Sequence, residues 1–204
     1  MILIPEIILK KLVDTILTKI DSEFLYLIFE ECKLNNYNFY ENAVSIFLRK
    51  KDSQRAIETH LFFNRDRANL PTIHLNMPSE SHGGDTGNTL AGTEGKFDSP
   101  ESLDYRIIST RSYQAKFSMI FTSDNTFEVA IMYNVIKMAL QGNMHLLEEN
   151  GLRNAKLSGG DIIFNDGLMP IGIYAKALHI DCIYSYEAPS LTKKRAVTGF
   201  VVNN

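Results

Sequence analysis

Tryptophan is absent, cysteine occurs only as Cys32 and Cys182, and no apolar run reaches the roughly 20 residues of a membrane span. Each shortage excludes something. Two cysteines outside any CxxC pair argue against a disulfide scaffold or a cysteine-rich metal module. Both sit among apolar neighbours, as in Ile180-Asp181-Cys182-Ile183, where a thiol acts as a small hydrophobe. A reduced cytosolic pair is the expectation, with one disulfide as the alternative. The N-terminal Met1-Ile2-Leu3-Ile4 has no basic residues before it, and Glu6, Lys10, Lys11 and Asp14 break the run, so a soluble chain is expected rather than a secreted one. The net charge of −3 gives no bulk attraction to nucleic acid.

The catalytic signatures are also missing. There is no GxSxG, no GxxxxGK[ST], no GxGxxG and no HExxH. Ser81-His82-Gly83-Gly84 has the form of an oxyanion loop but lacks a nucleophile elbow, so a glycine loop is the simpler reading. Ser158-Gly159-Gly160-Asp161 fits a tight turn better than a phosphate nest. The histidines, His60, His74, His82, His145 and His179, show no metal-ligand spacing; His74 and His179 fall in expected strands. Lys193-Lys194-Arg195 and Arg49-Lys50-Lys51 are short basic runs without interleaved aromatics, so solvated charge is expected. No catalytic residue, cofactor or metal is assigned, and the chain is not expected to be an enzyme.

What is present is a globular composition, 45% hydrophobic and 22% charged, enough for one core. Pro5, Ile8, Leu12, Ile16 and Ile20 mark a first helix, and Asp21 or Ser22 caps a second carrying Phe24, Leu25, Ile28 and Phe29. Ala43–Leu48 reads as a strand, as do Ile57–Phe63 and Thr72–Met77, the last bracketed by Pro71 and Pro78. Tyr113 to Phe121 alternates, Leu152–Leu157 has a strand's composition, and Ile171–Tyr186 reads as one long strand. Residues 78–104 hold five glycines and six carboxylates against Lys96 alone, and read as a mobile acidic loop.

The helix expected from Thr126 to Gln141 is apolar nearly all round. Its core stripe is expected to be Phe127, Ala130, Ile131, Val135, Met138 and Ala139, leaving Val129, Met132, Ile136 and Leu140 for a second partner. Together these give an α+β fold: a mainly antiparallel sheet flanked by helices, in one domain over 1–204, with an N-terminal helical segment at 1–38 and the loop insertion at 78–104. Expected subunit-interface residues are Ile4, Ile8, Val129, Met132, Ile136 and Leu140. Expected channel-facing or inter-ring loop residues are Glu80, Asp85, Glu94 and Asp98.

The order of elements, with Phe62-Phe63-Asn64-Arg65-Asp66-Arg67 … Leu75-Asn76-Met77-Pro78 and the closing Leu157-Ser158-Gly159-Gly160-Asp161 … Tyr174-Ala175-Lys176-Ala177-Leu178, resembles the neck and tail-terminator class of tailed-bacteriophage structural proteins, including those of large or crAss-like phages. The resemblance implies a virion subunit without catalytic residues, made in the host cytoplasm. It would form a homo-oligomeric ring, a hexamer or dodecamer, around passing DNA that it does not bind specifically, beside other neck, tail or portal proteins and away from membranes. A non-viral adaptor using the 78–104 loop is the first alternative, and a small hydrolase built on His82-Gly83-Gly84 the second.

Overall fold

Proline at the first helical position, where its missing N–H costs nothing, starts helix α1 at Pro5–Lys19. Leu9, Leu12, Val13 and Ile16 bury its inner face, while Ile4 and Ile7 stay about half exposed. Asp21 then caps α2, Ser22–Phe29, by accepting from the Phe24 amide at 2.8 Å. The computed structural model describes residues 4–30, 33–34, 37–49, 55–62, 70–82, 92–97, 104–162 and 172–195. Cys32, Lys50, Lys51, Asp85 and Asp98 lie outside them.

The two-residue strands β1, Lys33–Leu34, and β2, Tyr37–Asn38, pair antiparallel and lead into α3, Phe39–Phe47. This corrects the strand expected at Ala43–Leu48. Apolar residues at 44, 46 and 48 also satisfy strand alternation, but the residues actually buried are Ala43 and Ile46, one helical step apart. The signal for the helix precedes it: Asn38 caps by accepting from the Glu41 amide at 3.1 Å, with an acid three residues after the cap. Asn38→Ala is expected to cost about 1 kcal/mol, read as a lower urea midpoint at unchanged m-value.

A six-stranded sheet runs in the order β3 (Glu58–Leu61), β4 (Thr72–His82), β6 (Asp104–Ser123), β8 (Tyr174–Arg195), β7 (Arg153–Asp161), with β5 (Gly92–Phe97) also on β6. Among the described residues only β3 and β4 pair in parallel. This is the α+β, mainly antiparallel architecture expected. Pro78 does not end β4. It falls at a bulge between Asn76 and Ser79, where a missing N–H breaks no ladder bond, and the strand continues to His82.

The 78–104 segment therefore is not a loop throughout. β4 and β5 run one after the other along the same side of β6, from Thr72 opposite Thr122 to Phe97 opposite Tyr105. Glycine content made β5 illegible, because pairing with a long neighbour can hold a segment whose own side chains favour no strand.

Helix α4, Thr126–Gly142, and the short α5, Met144–Glu149, follow β6. Phe121 and Tyr133 meet edge to face at 5.9 Å, which fixes α4 on the side of the sheet that presents Phe117, Met119, Phe121, Leu178 and Ile180. α1 and α3 pack against α4 as well. The stripe expected to await a partner, Val129, Met132, Ile136 and Leu140, is thus 0–2% exposed within the chain itself. Two layers of the same chain cover the helix, which leaves a narrow solvent stripe of Phe127, Asn134, Met138 and Gln141. Val129, Met132, Ile136 and Leu140 are core, not free interface. Phe127 and Met138, expected in the core, are 54% and 50% exposed.

Beyond the helices the sheet narrows to an arm. No residue of β6 before Ser112 is fully buried, nor any described residue of β8 after Tyr184. At about 3.3 Å per residue, the 20 residues of β6 span about 65 Å. The arm consists of β5, the first eight residues of β6 and the last ten of β8.

Candidate functional site

Three clusters of polar side chains stand out. The first lies at the start of α4, where Asn125 caps the helix by accepting from the amides of Phe127 at 2.9 Å and Glu128 at 3.4 Å. Glu128 is only 3% exposed in that first turn. Arg49, just past α3, donates to one carboxylate oxygen at 2.8 Å, and Arg55 to the other at 2.8 Å. The Ser123 hydroxyl also donates to Glu128. Arg55 forks onto Asp124 at 2.6 and 3.2 Å, and Arg49 donates to the Arg55 carbonyl at 2.9 Å.

Burial alone would raise the Glu128 carboxyl, but the bonds from Ser123, Arg55 and Arg49 outweigh it and hold the group below its ordinary value. Asp124 is lowered chiefly by Arg55. With Asn125, Thr126 and Tyr174 these residues line an open cavity of about 510 Å³. Every charge in it faces a partner, so the arrangement is a latch joining α3, the β6–α4 corner and residue 55. No nucleophile with an attendant base stands there.

The second cluster occupies the sheet face opposite the helices. Asn76, Ser118 and His179 lie in one row across β4, β6 and β8. The Ser118 hydroxyl is 2.7 Å from His179 Nδ1. Burial, then the neighbouring Lys116, lowers the His179 imidazole, which favours its neutral form. Asn76 Oδ1 is buried and has no hydrogen-bond partner among the described residues. Among the described residues only Ser118 hydrogen-bonds the His179 ring, and Asp181, two residues on, pairs in register with Lys116. Two rows on, His60 and His74 sit opposite each other on β3 and β4, their rings 5.9 Å apart.

The third is the arm. Lys96, Arg106 and Lys193 fall opposite one another across β5, β6 and β8, and Phe97, Tyr105 and Lys194 form the next row. Tyr105, an aromatic not beside the basic run in sequence, is thus brought next to it by register. Arg106 also donates to the carbonyls of Ser190 and Leu191, both at 3.2 Å, across the bulge in β8. Leu191 is 96% exposed.

The remaining sequence-derived residues scatter. Ile4 is 48% exposed and Ile8 packs partly on the core. Glu80, expected to face a channel, accepts a hydrogen bond from the fully buried Tyr184 hydroxyl. Tyr113 stacks on Tyr184 with ring centroids 6.0 Å apart, and Tyr186 meets both edge to face at 5.4 and 5.0 Å. Glu94 lies in β5. Cys182 is buried, and burial first, then Asp181, pushes its thiol up to about 12. Ser158-Gly159-Gly160-Asp161 is the end of β7 rather than a turn. His145 lies exposed on α5.

Among the described residues no three His, Cys, Asp or Glu side chains come within reach of one metal ion, and no helix is long and apolar enough to cross a membrane. The Arg49–Arg55–Glu128 latch and the His60–His74 pair were missed at the sequence level because their members are far apart in the chain; the cap at Asn125 was the one local signal. Against known proteins, the chain matches no family model and no curated protein.

Proposed function

We propose that this chain is a structural subunit of a tailed-bacteriophage virion, forming a ring in the neck or at the head-proximal end of the tail around the DNA channel. The observation that carries this reading is the arm. Strands of 20 and 22 residues are three to four times the usual length, and their outer parts bury nothing fully in their own chain. An exposed three-stranded extension ending near an almost fully exposed leucine suits packing against neighbouring copies. The resemblance in element order and in the quoted phrases supports the viral context. The stripe Val129–Leu140 no longer contributes, since its own chain covers it. The interface reading moves to the arm and to Ile4 and Ile7. The channel reading of the 78–104 carboxylates keeps Glu80, which stays exposed while it accepts from Tyr184.

The test is the mass of the purified full chain in solution, with negative-stain imaging. A hexamer or dodecamer seen as rings is expected. Leu191→Asp is expected to abolish the ring at an unchanged circular dichroism spectrum, because Leu191 contributes nothing to the core of its own chain. A chain that remains a monomer or dimer at all concentrations overturns the ring and favours the adaptor reading.

A further inference from the structure

We propose that the tip of the arm docks on the exposed face of α2 in a second copy of this chain. This rests on the arm acting as an interface, and it names the surface that receives it.

α2 is apolar from Phe24 to Phe29, yet only Leu25 is fully buried. Glu23, Tyr26, Leu27 and Glu30 follow one another at i, i+3, i+4 and i+7, which places them on one helical face. Tyr26 is 49% and Leu27 73% exposed, and both glutamates are exposed with them. The face is held before anything docks. The Tyr40 ring of α3 meets the Tyr26 ring edge to face at 5.7 Å, and the Tyr26 hydroxyl donates to Glu30 at 3.2 Å. A surface fixed in this way loses little freedom on binding. Residues 20–48 carry five carboxylates, Asp21, Glu23, Glu30, Glu31 and Glu41, against Lys33 alone. The result is an apolar centre with an acidic rim.

The arm tip is its complement. Leu191 is 96% exposed, and Lys96, Lys193 and Lys194 are exposed on the same strands. Register sets Lys96, Arg106 and Lys193 in one row, and Arg106 donates to the Leu191 carbonyl at 3.2 Å. The arm, 92–97, 104–111 and 186–195, holds six basic residues against Glu94, Asp104 and Glu187. At +3 on a chain of net −3, it leaves the remainder at −6.

An apolar tip among cations therefore faces an apolar patch among carboxylates. Burial of Leu191 against Leu27 and Tyr26 supplies the attraction, and the opposite rims set orientation and encounter rate. A phosphate backbone would match the cations but offer Leu191 little apolar surface, so a protein face is the better fit. Donor and acceptor sit on different elements. After one contact each pair still has a free arm and a free α2, so the contact repeats from copy to copy until a ring closes.

The experiment is sedimentation velocity of the full chain over a range of concentrations, from about 50 to about 500 mM NaCl. Association is expected to weaken about tenfold across that range. Leu27→Lys is expected to separate the copies as Leu191→Asp does, at an unchanged circular dichroism spectrum, since lysine suits a helix surface as well as leucine. Glu23→Lys/Glu30→Lys and Lys96→Glu/Lys194→Glu should each weaken association about tenfold, and all four changes in one chain should restore it. Association that ignores Leu27→Lys and the reversed glutamates overturns the docking and leaves the ring standing. Open chains that respond to both overturn the ring and keep the docking. A monomer at every concentration overturns both. If Lys96→Glu/Lys194→Glu instead loses a duplex DNA probe while association is intact, the tip serves nucleic acid and the docking is overturned.

Discussion

Removing both guanidinium groups with Arg49→Ala/Arg55→Ala is expected to destabilise the fold by about 3–5 kcal/mol, the usual cost of leaving a buried charge without its partners. Glu128 is 3% exposed and, among the described residues, keeps only Ser123 in that variant. Arg49→Ala alone should cost less, about 1.5–3 kcal/mol, because Arg55 still reaches the second oxygen. Adding Glu128→Gln to the double variant is expected to recover part of the loss, since the stranded charge disappears while the side-chain shape remains. Recovery is the diagnostic result: if the arginines merely packed their methylenes, neutralising Glu128 would restore nothing.

The pH dependence carries an independent sign. In the intact latch the folded Glu128 carboxyl lies below its ordinary value of 4.5, so its contribution is present above that pH and fades as pH falls below it. Without the arginines, burial dominates and raises the carboxyl instead. The deficit of the double variant, measured by urea unfolding, should therefore be largest near neutral pH and shrink on acidification, as the stranded group takes up a proton. A deficit independent of pH would locate the loss elsewhere.

This latch marks where sequence reading stops. Helices α1, α2 and α4 were legible because their apolar positions recur at helical spacing next to a proline or a capping side chain. α3 was not, because nine residues hold too few turns for the helical period to outvote alternation at 44, 46 and 48; the Asn38–Glu41 cap was the better witness. For α4 the period gave the helix but not its neighbours. A helical wheel ranks faces by polarity, and it cannot tell whether α1 and α3 or another molecule covers the second apolar face. The long strands and the arm were hidden differently. Pro78 and the glycines of β5 are breakers by local propensity, overridden by a bulge and by pairing with β6. The polar clusters arise from register between distant strands, and no local pattern announces a register.

Gly159→Val is expected to be among the most damaging single changes in the sheet, and Gly160→Ala among the mildest. A Cβ at 159 would clash with the Ala177 carbonyl oxygen and lie 2.8 Å from the Tyr133 hydroxyl and 3.1 Å from Leu178 Cα. The first and third are backbone atoms of β8, directly paired with β7 at this point, so they yield only if the strands part. A single methyl should cost about 1–3 kcal/mol by overpacking, and a branched side chain more. Tyr133→Phe removes only the hydroxyl and leaves the carbonyl contact, so it should rescue little. At Gly160 nothing lies within 4 Å, and alanine there should be neutral or add about 0.4–1 kcal/mol by restricting the unfolded chain. Thermal unfolding of Gly159→Ala, Gly159→Val, Gly160→Ala and Gly159→Ala/Tyr133→Phe separates the possibilities. If 159 and 160 respond alike, the paired glycines serve a flexible turn after all; if they diverge as argued, Gly159 is the point where α4, through Tyr133, presses closest on the β7–β8 ladder.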